Sequence, residues 1–126
     1  MTGVLDASVI LAAFNDEDGA EQAIALLADG VISAVNLSEV LAKLQRNGAS
    51  EEDALAMVNS LESEVAPFDH SQAVTAGLLW RRVKTRGLSL GDRACLALAL
   101  ARDLPCYTAE RAWMGLLDDV DVRLIR

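Results

Sequence analysis

The chain has 126 residues, of which 52% are hydrophobic and only 4% aromatic, and it carries a formal net charge of −8. That length gives one domain with a single substantial core of Ala, Leu, Val and Ile, a composition that favours close helix packing over a β-sandwich. The acidic balance speaks against broad electrostatic attraction to nucleic acid, and no apolar run approaches the ~20 residues that span a bilayer.

Val4-Leu5-Asp6 predicts a short buried strand running straight into a helix over Ser8–Phe14, apolar on nearly every side and therefore interior. An acidic turn over residues 15–19 follows. Ala20, Ala23, Ile24, Leu27 and Ala28 then keep the i, i+3, i+4, i+7, i+8 spacing of an amphipathic helix, which Asp29-Gly30 ends. Val31–Val35 predicts a second strand. Asn36 caps the next helix, which carries Leu37, Val40, Leu41 and Leu44 on one face and stops at Asn47-Gly48. Ser50 caps a fourth helix with Ala54, Met57, Val58 and Leu61 on its buried stripe.

Glu64–Phe68 contains Pro67, which lacks a donor, and predicts a short extended piece at a sheet edge. Asp69 or Ser71 opens a long helix with Ala73, Ala76, Gly77 and Trp80 aligned, ending near Arg86-Gly87. Leu88–Gly91 is a turn into an apolar helix over Asp92–Arg102. A strand over Leu104–Thr108, a short helix over Glu110–Leu117 and a final strand over Val120–Ile125 complete the chain. Strands alternate with helices, so the expected fold class is α/β: one domain over residues 1–126, with a parallel sheet and right-handed crossovers.

The start of the chain lacks a basic region followed by a cleavable apolar stretch, so no secretory signal is expected. Cys95 falls in a helix interior and Cys106 in a strand, with no CxxC or Cys/His cluster. Both read as small core residues of a reduced cytoplasmic protein.

Four acids carry the chemistry. Asp6, Glu39, Asp92 and Glu110 each stand where a strand or turn hands over to an apolar helical pattern. In an open α/β fold those junctions lie along one edge of the sheet, where active sites are kept. Taken singly, each has an ordinary structural explanation. Asp6 is a good N-cap; Asn36 and Glu39 have capping-box spacing, and Glu39 can pair with Lys43. Asp92 and Glu110 complement helix dipoles, Asp92 behind a Ser89 or Gly91 cap. Jointly they point further, because convergent carboxylates in partly dry surroundings raise one another's pKa values unless a cation is present. Oxygen ligands without a His or Cys set suit Mg²⁺ or Mn²⁺. Two such ions would bring the formal charge from −8 to −4. His70, beside Asp69 at a helix start, reads as a surface or capping residue.

Four segments carry a family likeness: Val4-Leu5-Asp6-Ala7-Ser8, Asn36-Leu37-Ser38-Glu39-Val40, Leu88-Ser89-Leu90-Gly91-Asp92-Arg93 and Tyr107-Thr108-Ala109-Glu110-Arg111-Ala112-Trp113. In order and separation they resemble the motifs of PIN-domain ribonucleases, most of all the VapC type, the toxin half of bacterial type II toxin–antitoxin pairs. The likeness spans essentially the whole chain. It implies a three-layer sandwich with a central parallel sheet of four to five strands flanked by helices. Asp6, Glu39 and Asp92 are then the metal-binding catalytic acids, with Ser8 and Thr108 supporting the pocket. Glu110 departs from the family's usual aspartate; one methylene longer, it reaches a metal directly or through water.

The implied activity is Mg²⁺- or Mn²⁺-dependent hydrolysis of RNA phosphodiester bonds, leaving a 3′-hydroxyl and a 5′-phosphate. One ion, held by Asp6 and Asp92 with help from Glu39, activates a water. A second near Asp92 and Glu110 stabilises the leaving oxygen, at the ~4 Å spacing of two-metal sites. The likeness also implies a cognate antitoxin partner and a homodimer. Arg93 and Arg111, next to proposed ligands, are candidates for phosphate contact. Arg81, Arg82, Lys84 and Arg86 form the densest basic patch and read as a solvated helix end.

Other classes fit less well. A receiver domain needs paired acids after the first strand and a lysine after a late strand, but Asp16-Glu17-Asp18 follows a helix and no lysine lies beyond Lys84. A haloacid-dehalogenase-like phosphatase needs a second aspartate where Ser8 stands. A catalytically silent PIN-like interaction module stays open through the Glu110 departure.

Overall fold

The computed structural model describes residues 2–126. Among them, five short strands form one wholly parallel sheet: β1 (Val4–Leu5), β2 (Val31–Ser33), β3 (Glu64–Ala66), β4 (Cys106–Thr108) and β5 (Val122–Leu124). Their spatial order is β3-β2-β1-β4-β5. Six helices cover the sheet: α1 (Ala7–Phe14), α2 (Ala20–Leu27), α3 (Ala34–Arg46), α4 (Glu51–Asn59), α5 (His70–Val83) and α6 (Leu90–Arg102).

Alternation along each strand sorts the core into two layers. Leu5, Ile32 and Tyr107 point to a cluster built with α1–α4. Val4, Val31 and Cys106 point the other way, into a cluster with α5, α6 and the buried Trp113. Because β1 is covered on both faces, both of its residues are apolar, as expected of a central parallel strand. The result is a helix–sheet–helix sandwich.

The order of the strands positions the site. The chain builds outward from β1 through β2 and β3, then returns to the opposite side of β1 for β4 and β5. Strand order therefore reverses between β1 and β4. Open α/β sheets bind ligands at such a reversal, beyond the carboxyl ends of the strands.

Several elements depart from expectation. The second strand stops at Ser33, whose hydroxyl accepts from the Val35 amide and caps α3, so Ala34 and Val35 are helical and Asn36 sits inside the helix instead of capping it. Helix α2 buries Ala20, Ala23 and Leu26 and turns Ile24 outward at 59% exposure. Helix α5 buries Ala76, Leu79 and Val83 against α6, leaving Trp80 54% exposed. Its sequence offers two apolar stripes, and the one with branched aliphatic side chains packs. Helix α6 begins two residues early, at Leu90, capped by Ser89.

The helix expected over Glu110–Leu117 is only a 3-10 turn at Arg111–Trp113. Trp113 anchors that turn in the core, and Gly115 at φ 69° takes the chain out of helical space. The outer strands are shorter than expected but in the expected places. Ser50 and Asp69 cap α4 and α5 as read. Cys95 and Cys106 are buried free thiols.

Candidate active site

Asp6 is the residue after β1 and the first position before α1. Its backbone N–H donates to Tyr107 O at 3.1 Å, extending the β1–β4 ladder by one bond past the end of the strand. The side chain is 4% exposed and makes no capping bond to α1, which removes the structural explanation for an aspartate here. It is held instead by two hydroxyls: Ser8 Oγ donates to Asp6 Oδ2 at 2.7 Å, and Thr108 Oγ1 donates to the same oxygen at 3.0 Å. Those hydroxyls are themselves fixed from the β4 side. Ser8 Oγ accepts from the Ala109 amide at 2.9 Å, and Thr108 Oγ1 accepts from the Glu110 amide at 3.0 Å.

Burial pushes the Asp6 carboxyl up to about 6, and the nearby Asp92 carboxylate adds to the rise. The bonds from Ser8 and Thr108 oppose it without cancelling it. An anion next to another anion in dry surroundings is what a cation would relieve.

Asp92 lies in the first turn of α6. Here the structural explanation holds: Ser89 N donates to Asp92 Oδ2 at 3.0 Å and Asp92 N donates to Ser89 Oγ at 3.3 Å, a reciprocal capping box. Glu39 lies one turn into α3, where the buried Asn36 Nδ2 donates to its Oε1 at 2.9 Å. Glu110 is exposed, follows β4 and opens the 3-10 turn without a side-chain cap.

All four acids line a single cleft of about 390 Å³. Among the described residues, however, no three His, Cys, Asp or Glu side chains stand close enough to grip an ion as they are turned. Asp92 faces Ser89 and Glu39 faces Asn36. The donor set is all oxygen, which fits a hard divalent cation, and Asp6 carries the charge penalty that such a cation removes.

The cleft also holds cations. Lys43, one turn beyond Glu39 on α3, Arg86 and Arg126 line it. Arg126 Nη1 donates to Glu17 Oε1 at 3.0 Å and holds that carboxyl below its ordinary range. Arg86 Nη1 donates to Ala112 O at 2.8 Å. The two arginines favoured from sequence go elsewhere. Arg93 Nη1 turns back to Ala76 O at 3.0 Å, tying α6 to α5, and Arg111 is exposed outside the cleft. Lys43 had a signal in the sequence, the i+4 relation to Glu39, but that spacing reads as a surface pair. In the basic patch, Arg82 pairs with Asp119 at 2.9 Å, and only Arg86 reaches the cleft.

A model of the PIN domain family matches residues 3–114. No curated protein sequence matches the chain. Solved structures share the fold at low identity. The DNA-bound VapBC of Salmonella typhimurium aligns over 100% of both chains with a TM-score of 0.77 at 19% identity. VapBC2 of Rickettsia felis, bound to a promoter fragment, aligns over 98% of both with a TM-score of 0.76 at 18% identity. VapBC-5 of Mycobacterium tuberculosis aligns over 99% of this chain and 98% of its own with a TM-score of 0.65 at 24% identity.

Proposed function

This chain belongs to the PIN-domain family, and we propose that it is a Mg²⁺- or Mn²⁺-dependent endoribonuclease, the toxin of a toxin–antitoxin pair. One observation carries the reading: four carboxylates from separate segments line one cleft where strand order reverses, and one of them is buried with a raised pKa.

In this reading Asp6 is the fixed ligand, its carboxylate held in one orientation by Ser8 and Thr108. Glu39 stays where Asn36 holds it, and Asp92 and Glu110 complete the set by turning toward the ion, which for Asp92 means leaving the Ser89 amide. A bound divalent ion supplies an activated water near neutral pH and offsets the charge on the phosphate. Lys43 and Arg86 contact the phosphate backbone of the RNA, giving an acidic protein a local basic track into the site. Incubation of RNA with and without EDTA tests the reading. Cleavage is expected only with the ion present, and is lost in Asp6→Asn; cleavage that survives both EDTA and Asp6→Asn removes the assignment.

The relatives of like fold are VapBC toxin–antitoxin proteins, which supports an antitoxin as partner, and co-purification with the product of the adjacent reading frame tests it. A homodimer is supported by Val74 and Leu78, one turn apart on α5 and both exposed. Sedimentation of a Leu78→Lys variant tests that. A second reading, a silent PIN-like module, is favoured by the ungathered carboxylates; calorimetry that detects no Mn²⁺ binding would establish it.

A further inference from the structure

Asn36 is 0% exposed, yet it is polar and lies inside α3, where no cap needs it. Its Nδ2 donates twice: to Glu39 Oε1 at 2.9 Å and to Gly91 O at 3.0 Å. One amide thus joins α3 to the first turn of α6, the residue immediately before Asp92. The opposite end of the same amide, Oδ1, is buried without a partner. Flipping the group would satisfy nothing, since it would set Oδ1 against two acceptor oxygens. The unpaired acceptor is tolerated because the donor end is needed where it is.

Gly91 makes the counterpart. It lies inside α6 with no positive φ, so its backbone conformation does not require glycine. What glycine leaves is space, because a Cβ at this position would overlap the Glu39 carboxylate, which would have to move aside. Alanine would favour the helix, but would evict the carboxylate.

We infer that Asn36 is a positioning residue and Gly91 the seat it depends on: together they hold the Glu39 carboxylate against α6, beside Asp92. The inference rests on the metal-dependent reading above, because the purpose of the clamp is a fixed carboxylate at the ion site. Removing a group that orients a metal-binding carboxylate typically weakens the ion about 10–100-fold.

The experiment uses the full chain, with Mn²⁺ as the probe, calorimetry for affinity, thermal melts for the fold and the Asn36 side-chain amide resonance in EDTA as a metal-free readout. Asn36→Leu keeps the branched shape, though two methyls are bulkier than the amide, and removes both the donor and the unpaired acceptor. It is expected to keep the melting temperature while weakening Mn²⁺ about tenfold. Gly91→Ala is expected to weaken Mn²⁺ similarly and to move the Asn36 amide resonance, as Glu39→Ala does. A fall in melting temperature with unchanged Mn²⁺ affinity in both variants overturns the inference. So does an Asn36 resonance indifferent to Glu39→Ala. Absence of Mn²⁺ binding in the unmodified chain, with the resonance still responding to Glu39→Ala, instead sinks the metal reading and leaves the clamp as a packing device.

Discussion

Thr108 and Asp6 stand 102 positions apart in the chain, and the threonine hydroxyl donates to the aspartate's Oδ2 at 3.0 Å. The contact spans the ends of β4 and β1, neighbouring strands laid down at opposite ends of the sequence. Sheet register therefore decides whether the site exists. A slip of one residue would turn Thr108 to the other face and leave a buried carboxylate with one hydroxyl fewer. Even with both donors the Asp6 carboxyl stays raised, because burial outweighs them.

That imbalance has a stability consequence with a definite sign. Between the ordinary value of 3.8 and about 6, the folded chain binds more protons at Asp6 than the unfolded chain does, so this group lowers stability as pH rises through that window. The full effect is about 3 kcal/mol at neutral pH. In EDTA, Asp6→Asn is expected to be more stable than the unmodified chain at pH 7.5, with the difference disappearing below pH 4. Urea unfolding at the two pH values checks it. Equal midpoints at both would show that the carboxyl carries no such penalty.

A divalent ion should reverse this penalty. Ion at 100 times its Kd stabilises the folded chain by about 2.7 kcal/mol. Added Mn²⁺ is expected to raise the melting temperature of the unmodified chain and to leave Asp6→Asn unmoved. Equal shifts in both would place the ion elsewhere on this acidic surface.

Asp92 caps α6 and, under the proposed function, also serves the site, and the two contributions separate by substitution. Ser89→Ala removes the cap and keeps the carboxylate, so it is expected to cost about 1 kcal/mol of stability with RNA cleavage largely retained. Asp92→Asn keeps an acceptor for the Ser89 amide and loses the charge, so the opposite pattern is expected: near-normal stability and no cleavage. Denaturant midpoints beside a cleavage assay distinguish them. Cleavage by Asp92→Asn at the unmodified rate would leave Asp92 as a cap alone.

The sheet was legible because strands covered on both faces are short apolar runs bounded by turns, and Val4-Leu5, Val31-Ile32 and Cys106-Tyr107 are such runs. That Asp6, Asp92 and Glu110 share a cleft was legible for a topological reason, since Asp6 and Glu110 follow strands and Asp92 stands in the first turn of a helix. Glu39, by contrast, reaches the same cleft from inside α3. What pattern cannot carry is contact between distant segments. Asn36 looked like a cap because Ala34 and Val35 read as strand, and only the pairing of β2 with β3, which ends at Ser33, shows otherwise. Gly91 looked like a turn glycine, since nothing local reveals the Glu39 carboxylate lying against it. Arg93 sits beside a proposed ligand in sequence, but a helix side chain one position on points some 100° away, here toward α5.

The same geometry bears on which cation would matter most to RNA under the proposed function. Lys43 lines the cleft and makes no hydrogen bond or ion pair to another described residue, whereas Arg86 and Arg126 are already engaged by Ala112 and Glu17. An exposed lysine whose charge only adds to that of Arg126 in favouring the Glu17 carboxylate can be removed with little effect on the fold, within about 0.5 kcal/mol. In the Asp6→Asn background, where RNA is bound and not cut, Lys43→Ala is expected to weaken single-stranded RNA several-fold. The plot of log affinity against log salt should become shallower by about 0.7, the value for one lost phosphate contact. Arg111→Ala, outside the cleft, is expected to change neither quantity. If the Arg111 variant loses the salt dependence and the Lys43 variant keeps it, the RNA backbone runs over the 3-10 turn and not along α3.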